Sequence, residues 1–154
     1  MQQIIAANLR EQFPAIKDIN IACEPRLGAM LHIFISIDKK DDDEPRKLLE
    51  AAFKATAGIF PVSMITKRIV IVDDDIDVFN LEEVEWAIWT RLSRADKVMK
   101  IADVKSWELE RCVNDEMESV RIGIDGTMDM DSVDKLLKPV IPGSEAVHLD
   151  DYLG

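Results

Sequence analysis

A chain of 154 residues with 47% apolar content has the length of one domain and can bury a core without disulfide or metal staples. Its 30 acidic residues against 19 basic ones leave a net charge of −11. That argues against nucleic acid and against an anionic bilayer surface, whose binding needs a concentrated positive face. No apolar block is long enough to span a membrane, and MQQIIAANLREQF lacks the charged start and apolar core of a secretion signal, so a cytoplasmic protein is expected. Cys23 and Cys112 do not form a CxxC pair and are expected as reduced thiols.

From the start of the chain, Gln2 to Phe13 place Ile5, Leu9 and Gln12/Phe13 on roughly one helical face, and Pro14 ends that helix. IKDINIAC, Ile16 to Cys23, alternates as a strand does. EPRLG supplies turn chemistry at Pro25 and Gly28, and Ala29 to Asp38 forms a second strand, so the pair is expected as a hairpin. The charged run Lys39 to Glu44 reads as a solvated turn whose aspartates favour the helix that follows. Pro45 suits that helix's first turn; Leu48, Leu49, Ala52 and Phe53 form its inner face, and it stops near Gly58.

The strand MITKRIVIV comes next. Its run Ile69 to Val72 shows no alternation, which predicts burial on both faces at the centre of a sheet. Asn80 caps the following helix with Glu83 in capping-box position, and Leu81, Val84, Ala87, Ile88 and Leu92 make its inner stripe. Trp86 and Trp89 share a flank, expected under a neighbouring element or otherwise in a subunit interface. DKVMKIADV is a weaker strand, WELERCVNDEMES is polar and without a clear period, and VRIGIDGTM is a strand ending in a Gly126–Thr127 turn. DMDSVDKLLKPVIPG reads as a last helix, followed by a tail. The expected fold is one α/β domain, a mixed sheet flanked by helices, with a C-terminal helix and tail.

The candidate site is IVIVDDDID. Asp73, Asp74 and Asp75 stand at a strand's C-terminal end, where α/β folds place ligands, and Asp77 follows. Hard cations take carboxylate oxygens, so a magnesium-dependent phosphoryl-transfer site on Asp73, Asp74 and Asp75 is one reading. A strand-to-helix turn in which carboxylates accept backbone N–H groups is the other, and it needs no metal. IVIVDDD also resembles the first strand of a response-regulator receiver, with Asp103 and Lys138-Pro139 as further matches. A receiver begins with this strand, however, and too few residues remain after Val72 for its four further repeats. His32, inside a strand, reads as a structural polar-face residue rather than a base. A Cys23–His32 catalytic pair has only residue type behind it. No GxSxG, HExxH, GxGxxG or P-loop occurs.

VDDDIDVFNLEEVEWAIWTR, Val72 to Arg91, resembles the signature of the C-terminal domain of UbiD-type decarboxylases, which use prenylated flavin to remove or add carbon dioxide. FPAIKDINI, MLHIFISIDKK and TKRIVIVDDDID follow in the family's order, and RIGIDGT is similar to its late KIGIDAT segment. The resemblance covers roughly Phe13 to Pro142. It implies a domain that packs over a flavin domain and builds much of an oligomer interface. Family members are much longer, and their flavin, metal and catalytic motifs lie in a preceding domain with no counterpart here. Catalytic, cofactor-binding and metal-ligating residues are therefore expected to be absent from this chain. Prenylated FMN and a divalent metal are expected in the partner domain. The partners implied are a flavin-domain subunit, further copies of this chain, or both, and neither nucleic acid nor a membrane. Charged KSWELERCVNDEMES replaces the family's Gly- and Pro-rich loop between Asp103 and Val120. The alternative is a stand-alone interaction or regulatory module on the same scaffold.

Overall fold

Four consecutive aliphatic residues with no polar alternation need cover on both sides, and the fold is arranged around that need. Ile69, Val70, Ile71 and Val72 are all 0% exposed, in the middle strand of a five-stranded sheet. The computed structural model describes residues 2–23, 30–57, 62–108, 110, 112–132, 136–138 and 143. Its elements are α1 (Gln2–Gln12), β1 (Ile16–Cys23), β2 (Leu31–Ile37), α2 (Glu44–Ala57), the single turn α3 (Val62–Ile65), β3 (Thr66–Asp73), α4 (Leu81–Arg91), β4 (Val98–Lys105) and β5 (Glu118–Gly126). A 3-10 turn, Ala95–Lys97, precedes β4.

The sheet order is β1-β2-β3-β5-β4. β2, β3 and β5 run parallel, while β1 and β4 close the two edges antiparallel. The mixed sheet and the β1–β2 pairing agree with the sequence reading; the turn at Pro25 and Gly28, Ala29, and the helix stop at Gly58 lie outside the described residues. One face buries Ile33, Ile35, Ile69 and Ile71 under Ile5 and Leu9 of α1 and Leu48, Leu49, Ala52 and Phe53 of α2. The opposite face buries Phe34, Val70 and Val72 under Val84, Ala87 and Ile88 of α4. Helices thus cover the central strands on both sides, the usual three-layer solution for a parallel core.

Several expectations are corrected. β2 is buried along its whole length, so His32 is not on a polar face: it is 8% exposed, with its ring stacked 6.5 Å from that of Phe34. Lys39 does not belong to a solvated turn. It is 9% exposed, because its ammonium turns inward to Asp42, Thr127 Oγ1 and the Met128 carbonyl. In the segment expected as a last helix, residues 129–132 and 136–138 form turns, bends and coil, while 133–135 and 139–142 lie outside the described residues. There the Leu136 carbonyl accepts from Arg91 rather than from a helical N–H. Cys112 is a free, exposed thiol. Among the described residues no helix is long and apolar enough to cross a membrane.

Gly123 sets how closely α2 lies on the sheet. A Cβ there would stand 3.1 Å from both Leu49 Cδ2 and Phe53 Cε2 and 3.3 Å from Met99 Cβ. Gly123→Val should therefore wedge helix from sheet and cost roughly 1–3 kcal/mol, read as a lower midpoint in urea denaturation with an unchanged slope.

Candidate functional site

The C-terminal ends of β2, β3 and β5 meet at one edge of the sheet, and α4 ends against them. Arg91 sits at an inner-stripe position of α4, in step with Val84, Ala87 and Ile88, and is 0% exposed. A guanidinium at that depth must be paired, since a lone buried charge costs several kcal/mol. Its partners are the aspartates. Arg91 Nη1 donates to Asp73 Oδ2 at 2.9 Å and to Asp75 Oδ1 at 2.8 Å, while Nη2 donates to Asp75 Oδ2 at 2.6 Å and to the Leu136 carbonyl at 3.2 Å. The pair with Asp75 is a two-point fork, the geometry for which arginine is suited and lysine is not. The guanidinium also lies 5.2 Å from the Trp86 ring centre.

Asp73 ties the cluster to β5, accepting from the Met128 N–H at 2.8 Å. Burial pushes its carboxyl above the usual carboxylate range, against the opposing pull of that N–H and of Arg91. On β5, Asp125 Oδ1 accepts from Thr127 N (2.9 Å) and Thr127 Oγ1 (2.7 Å), holding the chain as it leaves the strand. Gly126 keeps this exit tight: a Cβ there would come within 3.3 Å of the Ile71 carbonyl. Lys97 closes the other side, 4% exposed, donating to the Thr127 carbonyl and pairing with Asp129 at 3.1 Å.

The remaining predicted residues form the turn into α4. Asp74 is exposed. Asp77 Oδ1 accepts from Phe79 N (2.9 Å), and Asn80 Oδ1 accepts from Glu82 N (3.1 Å) as the N-cap. Glu83 does not complete the expected box on Asn80 N–H. It accepts from Asp77 N at 3.1 Å and pairs with Lys138 at 2.7 Å. Asp75, expected on backbone N–H groups, is taken by Arg91. Trp86 is half-buried, whereas Trp89 is 82% exposed and lies under no described element. The three adjacent aspartates are therefore dispersed: Asp73 inward, Asp75 on the guanidinium, Asp74 outward. An ion shared among them would have to displace Arg91, and among the described residues no three His, Cys, Asp or Glu side chains converge on one point.

The flavin implied by the family resemblance fits these residues no better. The buried cations Lys39, Arg91 and Lys97 are committed to Asp42, Asp73, Asp75, Asp129 and backbone carbonyls, so the donor set offers a phosphate no ready partner.

A second charged cluster occupies the opposite end of the sheet, roughly 20 Å away at ~3.3 Å per strand residue. Glu110, 4% exposed, accepts from Lys67, Ser106, Ser119 (2.7 Å) and Arg121 (3.0 Å). Burial alone would raise its carboxyl, but these four donors outweigh burial and hold it down at about 2. The cluster pins the segment after β4, expected to be without period, onto the starts of β3 and β5.

Sequence reasoning assigned no role to Arg91, Lys39, Lys97, Asp125, Thr127, Glu110 or Arg121. Arg91 left a signal as a charge on an apolar helical stripe, and Arg121, Asp125 and Thr127 stood within the RIGIDGT segment.

Arg91→Met should destabilise by roughly 3–5 kcal/mol in urea denaturation, because it strands the Asp73 carboxylate. Arg91→Lys should recover only part of that loss, lacking the fork. For Glu110 the folded-state value lies below the ordinary 4.5, so its contribution is complete above about pH 4.5 and is lost as pH falls toward about 2. Stability should drop by on the order of 3 kcal/mol more in the wild type than in Glu110→Gln across that window, as followed by chemical denaturation at stepped pH.

Among relatives of known sequence, the anhydromevalonate phosphate decarboxylase of Aeropyrum pernix is 27% identical over 135 residues, 88% of this chain and 29% of that protein. The enzyme of the same name from Methanothermobacter thermautotrophicus is 29% identical over 105 residues, 68% of this chain and 23% of that protein. Among solved structures, the UbiD-class enzyme HmfF from Pelotomaculum thermopropionicum, in complex with FMN, superposes with a TM-score of 0.75 at 29% identity, covering 97% of this chain and 32% of that one. The vanillic acid decarboxylase of Sedimentibacter hydroxybenzoicus in its closed form shares the fold, with a TM-score of 0.69 at 20% identity over 97% of this chain and 30% of that one. The chain spans less than a third of the length of the curated relatives it matches. Residues 1–126 match the model of the 3-octaprenyl-4-hydroxybenzoate carboxy-lyase C-terminal domain, and the chain belongs to that family, the UbiD C-terminal domains.

Proposed function

We propose that this chain serves as the C-terminal domain or small subunit of a UbiD-type non-oxidative decarboxylase or carboxylase. Its role is assembly and the capping of a prenylated-flavin site that another part of the complex supplies, together with a divalent metal. The observation that carries this reading is that the described buried cations at the strand ends are all engaged within the domain. Arg91, Lys39 and Lys97 are spent on carboxylates and carbonyls of this same domain. A ligand-side edge organised in that way presents a rigid shape to a neighbour rather than reactive groups. The overlay of 97% of the chain on FMN-bound HmfF supports the same role.

In this reading residues 1–154 are one domain with its core at roughly 13–142. Asp73, Asp74, Asp75, Asp77, Asn80 and Glu83 act structurally, as the turn that positions α4. Trp86 and Trp89 mark the assembly face, Trp89 by its exposure of 82%. Large aromatic side chains of this kind are enriched at the centres of interfaces. The chain works in the cytoplasm, with further copies of itself or a flavin-domain subunit as partners. A stand-alone interaction module is the second reading; it draws on the same exposed tryptophan but needs no flavin partner.

Co-expression with a UbiD-type flavin-domain polypeptide, followed by size-exclusion chromatography with absorbance detection, tests the proposal. A stoichiometric complex carrying flavin absorbance is expected, with Trp89→Asp weakening assembly by ~30-fold or more, a loss of ~2 kcal/mol or more. A colourless monomer that ignores the flavin domain would favour the stand-alone module. Stoichiometric flavin on this chain alone would overturn the assignment of the cofactor to the partner.

A further inference from the structure

The two faces of the sheet are covered unequally. On one, the core under α1 and α2 reaches the edge strand, where Met99 and Ile101 of β4 pack against it. On the other, α4 is the helix among the described residues, and from β5 and β4 only Ile124 packs against its core. Side chains alternate along a strand, so Val120 and Ile122 share the face of Ile124. Val98 and Lys100 share it too, being the cross-strand partners of Ile124 and Ile122. Val120 is 40% exposed, Val98 and Ile122 are half-buried, and Lys100 is exposed. Together they make an apolar strip with one cation on it.

α4 walls this strip on one side. Its Glu85 accepts from Arg68 at 2.9 Å, and Ile122 is the neighbour of Arg68 on β5. Trp89, four residues after Glu85, stands on the same flank of the helix and is 82% exposed. Lys138, from the C-terminal segment, lies on the other flank, paired with Glu83 at 2.7 Å. Two strands at a spacing of ~4.8 Å give a strip roughly 10 Å wide. Packed helices lie about 8–10 Å apart, so the strip has the width of one more helix beside α4.

Charge narrows the choice of occupant. Arg68 is engaged by Glu85, and Glu118, on the same face of β5, is engaged by Lys105 at 2.9 Å. Lys100 pairs with no acid among the described residues. The strip therefore asks for an apolar surface that brings its own carboxylate. A second copy would bring the same lysine and a like net charge of −11, which opposes strip-to-strip pairing.

We propose that this strip receives one amphipathic α-helix of the flavin-domain polypeptide. The helix lays its apolar stripe on Val120, Ile122 and Trp89 and turns an acidic side chain to Lys100. The inference rests on the assembly role proposed above and extends that face from the tryptophan flank of α4 onto β5 and β4.

Calorimetric titration of the full chain with a UbiD-type flavin-domain polypeptide tests it. Val120→Arg and Lys100→Glu should each weaken the complex about ten-fold or more. Ile4→Arg and Lys54→Glu, the same kinds of change at exposed positions of α1 and α2, should leave it within about two-fold. Val120→Arg by itself should melt within about 2 °C of the wild type. A complex indifferent to both Val120→Arg and Lys100→Glu would overturn the inference and leave the assembly role standing, whereas no complex with the unaltered chain would remove both. A dimer of this chain alone that Val120→Arg disperses would give the strip to a second copy. A large loss of melting temperature in Val120→Arg alone would mean that the chain covers the strip itself. Either result overturns the proposal, as does a partner segment, protected from hydrogen exchange by the wild type but not by Val120→Arg, that is not helical.

Discussion

The contact between Arg91 and Asp73 is the constraint on which the rest of the architecture rests. It joins the end of α4 to the end of the central strand at 2.9 Å, in a place where neither charge could persist alone. Through the other bond to Asp73 Oδ2 the same contact reaches Met128 and the exit of β5, and through the Leu136 carbonyl it reaches the C-terminal segment. Hydrophobic burial would hold α4 on the sheet without it, but burial is not directional. A forked guanidinium fixes where the helix ends relative to the strand, and therefore where the strand-to-helix turn and the exposed face of α4 lie.

Each end of the parallel strands carries its own buried charge cluster. At the C-terminal ends the buried cations are turned on carboxylates of the same domain, with Lys39 facing Asp42, Lys97 facing Asp129 and Arg91 facing both Asp73 and Asp75. This is where folds of the class present ligand-binding groups, and here those groups are turned on one another. At the N-terminal ends, Lys67 and Arg121 both donate to the buried carboxylate of Glu110. The net charge of −11 conceals these clusters, because a composition averages over groups that the fold has sorted. The exposed Trp89 lies on α4, on the face of the sheet opposite α1 and α2.

Much of the framework was legible because it follows from local patterns. The unbroken run Ile69 to Val72 could only be a strand covered on both faces, and Asn80 before an apolar stripe could only begin a helix. The limits of β1 were readable from alternation. What failed did so for one reason: the deciding partner was distant in the chain. Lys39 reads as a solvated charge until Thr127 and Met128 are brought beside it, 88 and 89 residues away. His32 sits on a covered surface because β2 lies between two other strands and two layers of helix, which its own alternation does not report. Glu110 lies in a stretch with no periodicity, and its burial is created by residues of β3 and β5.

By itself the sequence determined the class of fold, the central position of β3, the capped helix after it and the family signature, all of which depend on residues near one another. It also contained the three aspartates but not their roles, because a carboxylate's role depends on what it faces. Tertiary structure alone decided that Asp73 and Asp75 face Arg91, that Asp74 faces water, and that Trp89 is left uncovered. The physical reason is that hydrophobic periodicity acts over a few residues, whereas pairing of a buried charge is settled only when the chain has closed around it.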